Sequence, residues 1–424
     1  MHYQYQCFDC QTIYPPEEFE ESGNYLCPDC GKAEKNQPLT GVMQVVYDYS
    51  VLRKSMDREQ FLKNTPGTFW DYPEFWPLAL SNNNNNPFKN ISKQQLQLLS
   101  LTQKPILRFP LETGTISIFD DTRNPTFSYK DRASILVALK AIQKDIAEIT
   151  MASTGNAGSS IAGICARLGL KSHIFVPANI PLAKRLQIQA YGAELYLLDG
   201  DYDQAFDLNL EVTAKTGWYN RNTAYNPLTI EGKKSAAFDM FIALQGTLPD
   251  VIFVPVGDGV IIAGIYKGFY DLLKLGWIEK TPKLVAVQAS GSNAIVRYFE
   301  SGHFEYEPAQ TIADSIHAGA PRNLYMAAAA IEKSHGWALS VSDQEMLNAQ
   351  QAIATKMGML IEPAAAASFA GYQKSLTYGQ IEISNNVMLM FTGNGLKDFS
   401  SLQNWNTAPV PQTIEQIKTH FTIT

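Results

Sequence analysis

Residues 250–257, Asp-Val-Ile-Phe-Val-Pro-Val-Gly, form an unbroken apolar run that ends in a glycine turn and gives way to the helical stretch IIAGIYKGFYDLLKLG. A strand with one wet face would alternate apolar and polar side chains. An unbroken run belongs instead to a strand covered on both faces, the environment that parallel sheets with helical crossovers create. From about residue 105 onward the same grammar repeats. ISIFDD, IAEITMAS, SHIFVP and AELYLL read as strands, separated by helices over 131–144, about 156–168 and 181–191. Beyond the central run, KLVAVQA and NNVMLMFTGNG are strand-like, the second entering a loop. No internal repeat of fixed period underlies the pattern. The alternation predicts an α/β protein with parallel-rich sheets, and a length of 424 residues allows two or three structural units.

The remaining composition is that of an ordinary globular protein, with 45% hydrophobic and 18% charged residues. A net charge of -7 argues against nucleic acid or an anionic membrane surface as a main partner. The first residues, MHYQYQCFDC, contain no apolar segment of a secretory signal, and no run approaches the length of a membrane span, so a cytoplasmic protein is expected. GVMQVVYDYS reads as a short strand, residues 53–80 as a packed irregular segment rich in aromatics, and the asparagine run 82–86 as an exposed loop.

Four of the five cysteines are grouped as two C-x-x-C pairs, Cys7 with Cys10 and Cys27 with Cys30. Two such pairs separated by a loop match a structural four-thiolate zinc site, closed to water because all four positions are filled. Redox pairs, or a ribbon that has lost its metal, are the other readings. Gly31 after the second pair is expected to supply a positive φ. Cys165 lies on the apolar face Ile161, Ile164, Cys165, Leu168 and is expected in the core.

Three glycine-bearing loops follow strand-like segments, where α/β folds place ligands. STGNAGSS, 153–160, opens a helix with small polar residues and free backbone N–H groups suited to a carboxylate. PVGDGVIIAG follows the central strand, and Gly257 and Gly259 let backbone curl round a phosphate at a helix N-terminus. FTGNGLKD, 391–398, offers the Thr392 hydroxyl. A fourth segment, FSYKDRAS at 127–134, puts Lys130 at the mouth of a helix. That lysine is either a solvated charge or an amine that forms a Schiff base with a carbonyl cofactor.

In this order the segments resemble the fold-type-II pyridoxal-phosphate enzymes, and within them the threonine synthase family. The resemblance includes the cysteine ribbon followed by VVYDYS, TFWDYPEFWPL, YNPLTIEGKKS and IEPAAAAS, and so spans nearly the whole chain. It implies two three-layer αβα domains, a larger one over 41–150 and 220–424 and a smaller one over 151–219, after a zinc-ribbon-like segment over 1–40. It also implies an amino-acid substrate and a homodimer. By resemblance, Lys130 would hold pyridoxal 5'-phosphate covalently and then move protons among Cα, Cβ and Cγ. Asn156 would meet the ring 3'-oxygen, and Gly257, Asp258, Gly259, Val260 and Ile261 would cradle the cofactor phosphate. Thr392 would face the ring nitrogen, a hydroxyl there leaving that nitrogen largely unprotonated. Ser153 and Thr154, with the backbone of 153–157, would take the substrate carboxylate, and Lys233 and Lys234 the substrate phosphate. The reaction implied is conversion of O-phosphohomoserine and water to threonine and phosphate.

The chain departs from the family at identifiable places. Asp258 stands where a neutral residue is usual, Val260 where glycine is frequent, and Phe127 and Ala133 replace glycines near the lysine. A carboxylate beside a phosphate is repulsive unless it turns away or meets Lys267 or another cation. The family arginine expected on the substrate phosphate is Thr229 here, leaving Lys233, Lys234 and the hydroxyls of Thr154 and Thr229 to replace it. These changes bear on the substrate rather than the cofactor. A β-replacement enzyme resembling cysteate synthase, a serine or threonine dehydratase, and a binding module built on an inactive fold stay open as readings.

Overall fold

A computed structural model describes residues 2–81, 87–111, 114–153, 155–178, 180–200, 202–407 and 409–421. The asparagine run 82–86 and Thr154 lie outside the described residues.

The apolar run becomes the strand Val251–Pro255, near the centre of a six-stranded sheet. Its neighbours are Lys283–Ala289 and Val387–Phe391, both parallel to it. Trp337–Val341 extends one side in parallel, and Gly114–Asp120 pairs in parallel with Val387–Phe391 on the other. Ile106–Leu111 closes that edge antiparallel. Pro110 in this last strand fits an edge position, where a missing N–H costs no ladder bond. Successive side chains of the central strands point to opposite cores. Ile252, Val254, Leu284, Ala286, Met388 and Met390 enter one cluster, while Val251, Phe253, Val285, Val287, Val387 and Leu389 enter another. Both faces are covered, which is why these strands are apolar throughout.

A second, four-stranded parallel sheet runs in the order Glu194–Leu198, Lys171–Pro177, Glu148–Ala152, Tyr219–Asn220. Helix Asn156–Leu168 packs against strands of this sheet and against helix Leu182–Ala190; Cys165 faces the core, 1% exposed. Tyr202–Thr216 packs against the two central strands of the same sheet. Helix Leu228–Ala243, buried along nearly its whole length, is wedged between Asp131–Gln143 and Val260–Leu275.

The N-terminal segment forms a three-stranded antiparallel sheet of Ile13–Tyr14, Tyr3–Cys7 and Met43–Tyr47. Phe69, Phe75 and Trp76 from the irregular segment are buried against Phe238 and its neighbours. Gly31 does not take the expected positive φ; Gln11, just after Cys10, does at 63°. Gly31 is required for space instead, since a Cβ there would lie 2.5 Å from Cys27 O.

Candidate active site

Four loops open at one mouth of the fold, each leaving the carboxyl end of a strand. They are 121–130 after Gly114–Asp120, the stretch holding Ser153 and Gly155 after Glu148–Ala152, 256–259 after Val251–Pro255, and 392–394 after Val387–Phe391. Their residues line a cleft of about 500 Å³, of the size that takes a small molecule. Lys130, Asn156, Gly257, Lys233, Glu362 and Thr392 all contribute to its wall.

Lys130 immediately precedes helix Asp131–Gln143, and its two followers lock it in place. The Asp131 carboxylate accepts from Thr126 N at 2.7 Å, from the Thr126 hydroxyl and from Ser160 Oγ at 2.6 Å. The Arg132 guanidinium grips Asp121 with two bonds of 2.6 and 2.9 Å, and donates to Asp239 Oδ2 at 2.6 Å and Ser235 Oγ at 2.9 Å. The Lys-Asp-Arg triplet is therefore one residue facing the cleft and two that fix its backbone. Burial pushes the Lys130 amine down to about 8, against the pull of Glu362 and Asp258, with Arg221 and Lys184 adding to the lowering. Phe127 adopts φ 68° and leaves its ring about half exposed. A left-handed conformation costs a non-glycine residue about 1 kcal/mol, so Phe127→Gly is expected to raise the melting temperature by no more than about 1 °C in a thermal scan, without moving Lys130.

The phosphate-sized turn is built as its glycines suggest. Gly259 sits at φ 86° and caps helix Val260–Leu275. A Cβ at Gly257 would fall 2.8 Å from Ile316 Cα, and one at Gly259 2.6 Å from Ala327 Cβ. Asp258 does not meet Lys267. Its Oδ1 accepts from Arg322 N at 3.1 Å and its carbonyl from Asn323 N at 2.9 Å, turning the charge toward the next helix. Lys267 pairs with Asp271 instead.

Asn156 donates through Nδ2 to both oxygens of Glu362, at 2.8 and 2.9 Å, and to Ser315 Oγ at 3.0 Å. That fixes the amide, and its buried Oδ1 has no partner among the described residues. A ring hydroxyl would satisfy that acceptor. Thr392 lines the cleft, and no protein partner for its hydroxyl is found among the described residues. With the first-turn N–H groups of two helices, these residues fit the size and polarity of pyridoxal phosphate.

The substrate side differs from the sequence expectation. Lys233 lines the cleft, but Lys234 does not. The Lys234 ammonium lies 2.6 Å from Glu231 and 3.0 Å from Asp271, donates to Tyr47 OH at 3.1 Å, and sits over the rings of Tyr47, Phe75, Trp76 and Phe238. On a helix, adjacent residues point about 100° apart; here one lysine faces the cleft and the next ties the helix to the N-terminal segment. Thr229 is also occupied: its hydroxyl donates to Asn226 O at 2.7 Å and accepts from Ala224 N at 3.2 Å. Ser153 Oγ accepts from Gly155 N and Gly158 N, at 3.2 and 3.0 Å, so its hydroxyl shapes the loop.

Several residues at the site are given no role by the sequence. Glu362 reads as an ordinary residue before a helix-starting proline. Lys184 holds Asp314 with two bonds of 2.6 Å and lies 3.8 Å from Glu362; burial acts against its charge, but those carboxylates hold its pKa raised. Lys397 of the last glycine loop donates to Thr126 O, Ser159 Oγ and Gln187 Oε1, at 2.8, 2.9 and 2.8 Å. It thereby joins three segments around the cleft.

Away from the cleft, the sulfurs of Cys7, Cys10, Cys27 and Cys30 all lie within 4.8 Å of one another. Cys7 and Cys30 are separated by 3.4 Å, and Cys10 and Cys27 by 3.6 Å. Tetrahedral zinc with bonds of about 2.3 Å needs sulfurs roughly 3.8 Å apart, so the set fits.

A family model described as pyridoxal-phosphate dependent enzyme matches residues 101–393. Threonine synthase of Methanocaldococcus jannaschii is 31% identical over 404 residues, spanning 93% of this chain and 92% of that protein. Threonine synthase of Bacillus sp. strain ULM1 is 38% identical over 302 residues, spanning 70% of this chain and 84% of that protein. Among solved structures, the processed form of threonine deaminase isoform 2 from Solanum lycopersicum is similar with a TM-score of 0.60 at 19% identity, covering 81% of this chain and 97% of that one. O-ureido-L-serine synthase gives 0.61 at 16% identity, covering 75% and 98%. At such identities the structural likeness speaks for the fold.

Proposed function

The chain belongs to the threonine synthase family of pyridoxal-phosphate-dependent enzymes, and from that premise we propose that it converts O-phosphohomoserine and water to threonine and inorganic phosphate. The observation that carries the reading is a single cleft holding Lys130, the 257–261 turn and a second amine, Lys233, that is free of any ion pair among the described residues. One anion-binding element serves the cofactor, which leaves the other for a phosphorylated substrate.

Pyridoxal phosphate, when bound, supplies the electron sink that makes carbon-bound hydrogens of an amino acid acidic. The chain's own residues divide the remaining work. Lys130 anchors the cofactor and, with an amine pKa lowered by burial, carries protons between substrate carbons. Asn156 Oδ1 and the N-terminus of helix Val260–Leu275 fix the cofactor's position. Thr392 offers the ring nitrogen a neutral hydroxyl, which moderates the sink. The first turn of helix Asn156–Leu168 binds the substrate carboxylate, and of the two expected lysines only Lys233 meets its phosphate.

The test is a substrate panel with the holoenzyme, measuring phosphate, threonine and 2-keto acids. Phosphate and threonine in equal amounts from O-phosphohomoserine, with little product from O-phosphoserine, serine or threonine, is the expected result. Thr229 in place of arginine favours the second reading, a related lyase or β-replacement enzyme. Keto acid from an unphosphorylated substrate and no phosphate from O-phosphohomoserine would establish it.

The cysteine set holds a structural zinc on this reading. Cys27→Ser is expected to lower zinc from about one per chain to near none by metal analysis. Protease cleavage should become faster within residues 1–40. Unchanged metal content would reject the site.

A further inference from the structure

Arg221 follows the short strand Tyr219–Asn220 and is 0% exposed. Its Nε donates to Ser134 Oγ and its Nη1 to Thr223 Oγ1, both at 3.3 Å, while its Nη2 has no partner among the described residues. The groups that act for its charge are Tyr202, which lines the cleft, and then the carboxylate of Asp131, already engaged by Thr126 and Ser160. Burial pulls this guanidinium down to about 10, although arginine ordinarily stays charged at any working pH. Lys233 is in the same condition. Burial, then Lys130 and Arg221, push its ammonium well below the usual range, opposed by Asp258. Burying basic groups without paired carboxylates is costly to their charged forms, and a fold that keeps two of them at one cleft is built for an anion that restores the charge.

Thr223 joins Arg221 to the cleft, which it lines. Its oxygen accepts from Nη1, so its own O–H is left to donate elsewhere. We infer that Thr223 and Lys233 touch the substrate phosphate and that Arg221, directly behind, is a positioning residue that orients the Thr223 hydroxyl and supplies charge. The inference rests on the O-phosphohomoserine reading and identifies how this chain compensates for Thr229. A phosphate monoester carries about -1.5 to -2 at neutral pH, which Arg221 and Lys233 together match. Such a dianion also favours the charged form of Lys233.

The experiment uses the holoenzyme with Thr223→Val, Arg221→Gln and Arg221→Lys, reading KM and kcat for O-phosphohomoserine and the affinity for inorganic phosphate by calorimetry. Thr223→Val and Arg221→Gln are each expected to weaken both by about tenfold or more, with the cofactor absorbance band unchanged. The double variant should do little worse than either single one, because the two act as a unit. Arg221→Lys should recover part of the loss. If Arg221→Gln fails to fold or to hold cofactor, Thr223→Val decides. Unchanged KM and phosphate affinity in Thr223→Val, while wild type turns over O-phosphohomoserine, overturns the inference and leaves the proposed function standing. Phosphate affinity that depends on both residues, in a wild type that does not turn over O-phosphohomoserine, supports the anion element and defeats the substrate reading. Lysine performing no better than glutamine at 221 would reject the positioning role.

Discussion

Lys130→Ala is expected to abolish turnover and covalent cofactor attachment together. Borohydride reduction of the wild type followed by peptide mapping should place the pyridoxyl group on residues 127–134, and the variant should carry none. The expectation follows from position: Lys130 faces the cleft, while Asp131 and Arg132 are spent on structure. Addition to an aldehyde requires the neutral amine. With the pKa lowered by burial to about 8, the neutral fraction rises as pH approaches 8 and levels off above it. Uptake of cofactor by the apoenzyme, followed by absorbance, should therefore accelerate from about pH 6.5, reach half its maximum near pH 8 and plateau about one unit higher. An unperturbed lysine would keep accelerating to about pH 10. A label on another lysine would remove Lys130 from its role.

The second large effect is on folding. Arg132 and Asp121 are fully buried and Asp239 nearly so, and the guanidinium also stacks over Phe119 and Tyr129. Burial alone would lower the arginine's pKa, but the two carboxylates outweigh it and raise it well above its ordinary value. Arg132→Ala leaves both carboxylates buried and unpaired, which costs about 3–5 kcal/mol. A domain has only about 5–15 kcal/mol to lose, so the variant should be mostly insoluble or show a urea midpoint reduced by a third or more. Arg132→Lys keeps the charge, loses the two-pronged grip on Asp121, and should fall between. A loss below about 1 kcal/mol in Arg132→Ala would mean the pair network does not hold the Lys130 loop.

Much of this was legible in the sequence because buried parallel strands leave unbroken apolar runs and ligand loops must follow them. The central run at 250–257 and the glycine turn after it are the clearest case. Strands with weak patterns were not legible. Ile106–Leu111, at an edge with mixed exposure, and Trp337–Val341, half-buried at the other edge, owe their place to pairing rather than to their own residues. At the site, the sequence identified the loops but not the direction of side chains. Lys233 and Lys234 are equivalent as letters, and only the packing of helix Leu228–Ala243 separates a cleft lysine from one held by Glu231, Asp271 and four aromatic rings. The direction of Asp258 is likewise set by packing, through the Arg322 N–H it reaches. Arg221 and Lys184 carry no local signal, since what matters in each is long-range burial and the partners it has or lacks.

The measurement that bears most directly on the proposed function is a turnover of O-phosphohomoserine in oxygen-18 water, with mass spectrometry of both products. Cleavage at the carbon–oxygen bond followed by water addition at Cβ puts the heavy oxygen in the threonine hydroxyl and releases unlabelled phosphate. Heavy oxygen in the phosphate with homoserine as co-product, or 2-ketobutyrate and ammonia in place of threonine, would contradict it.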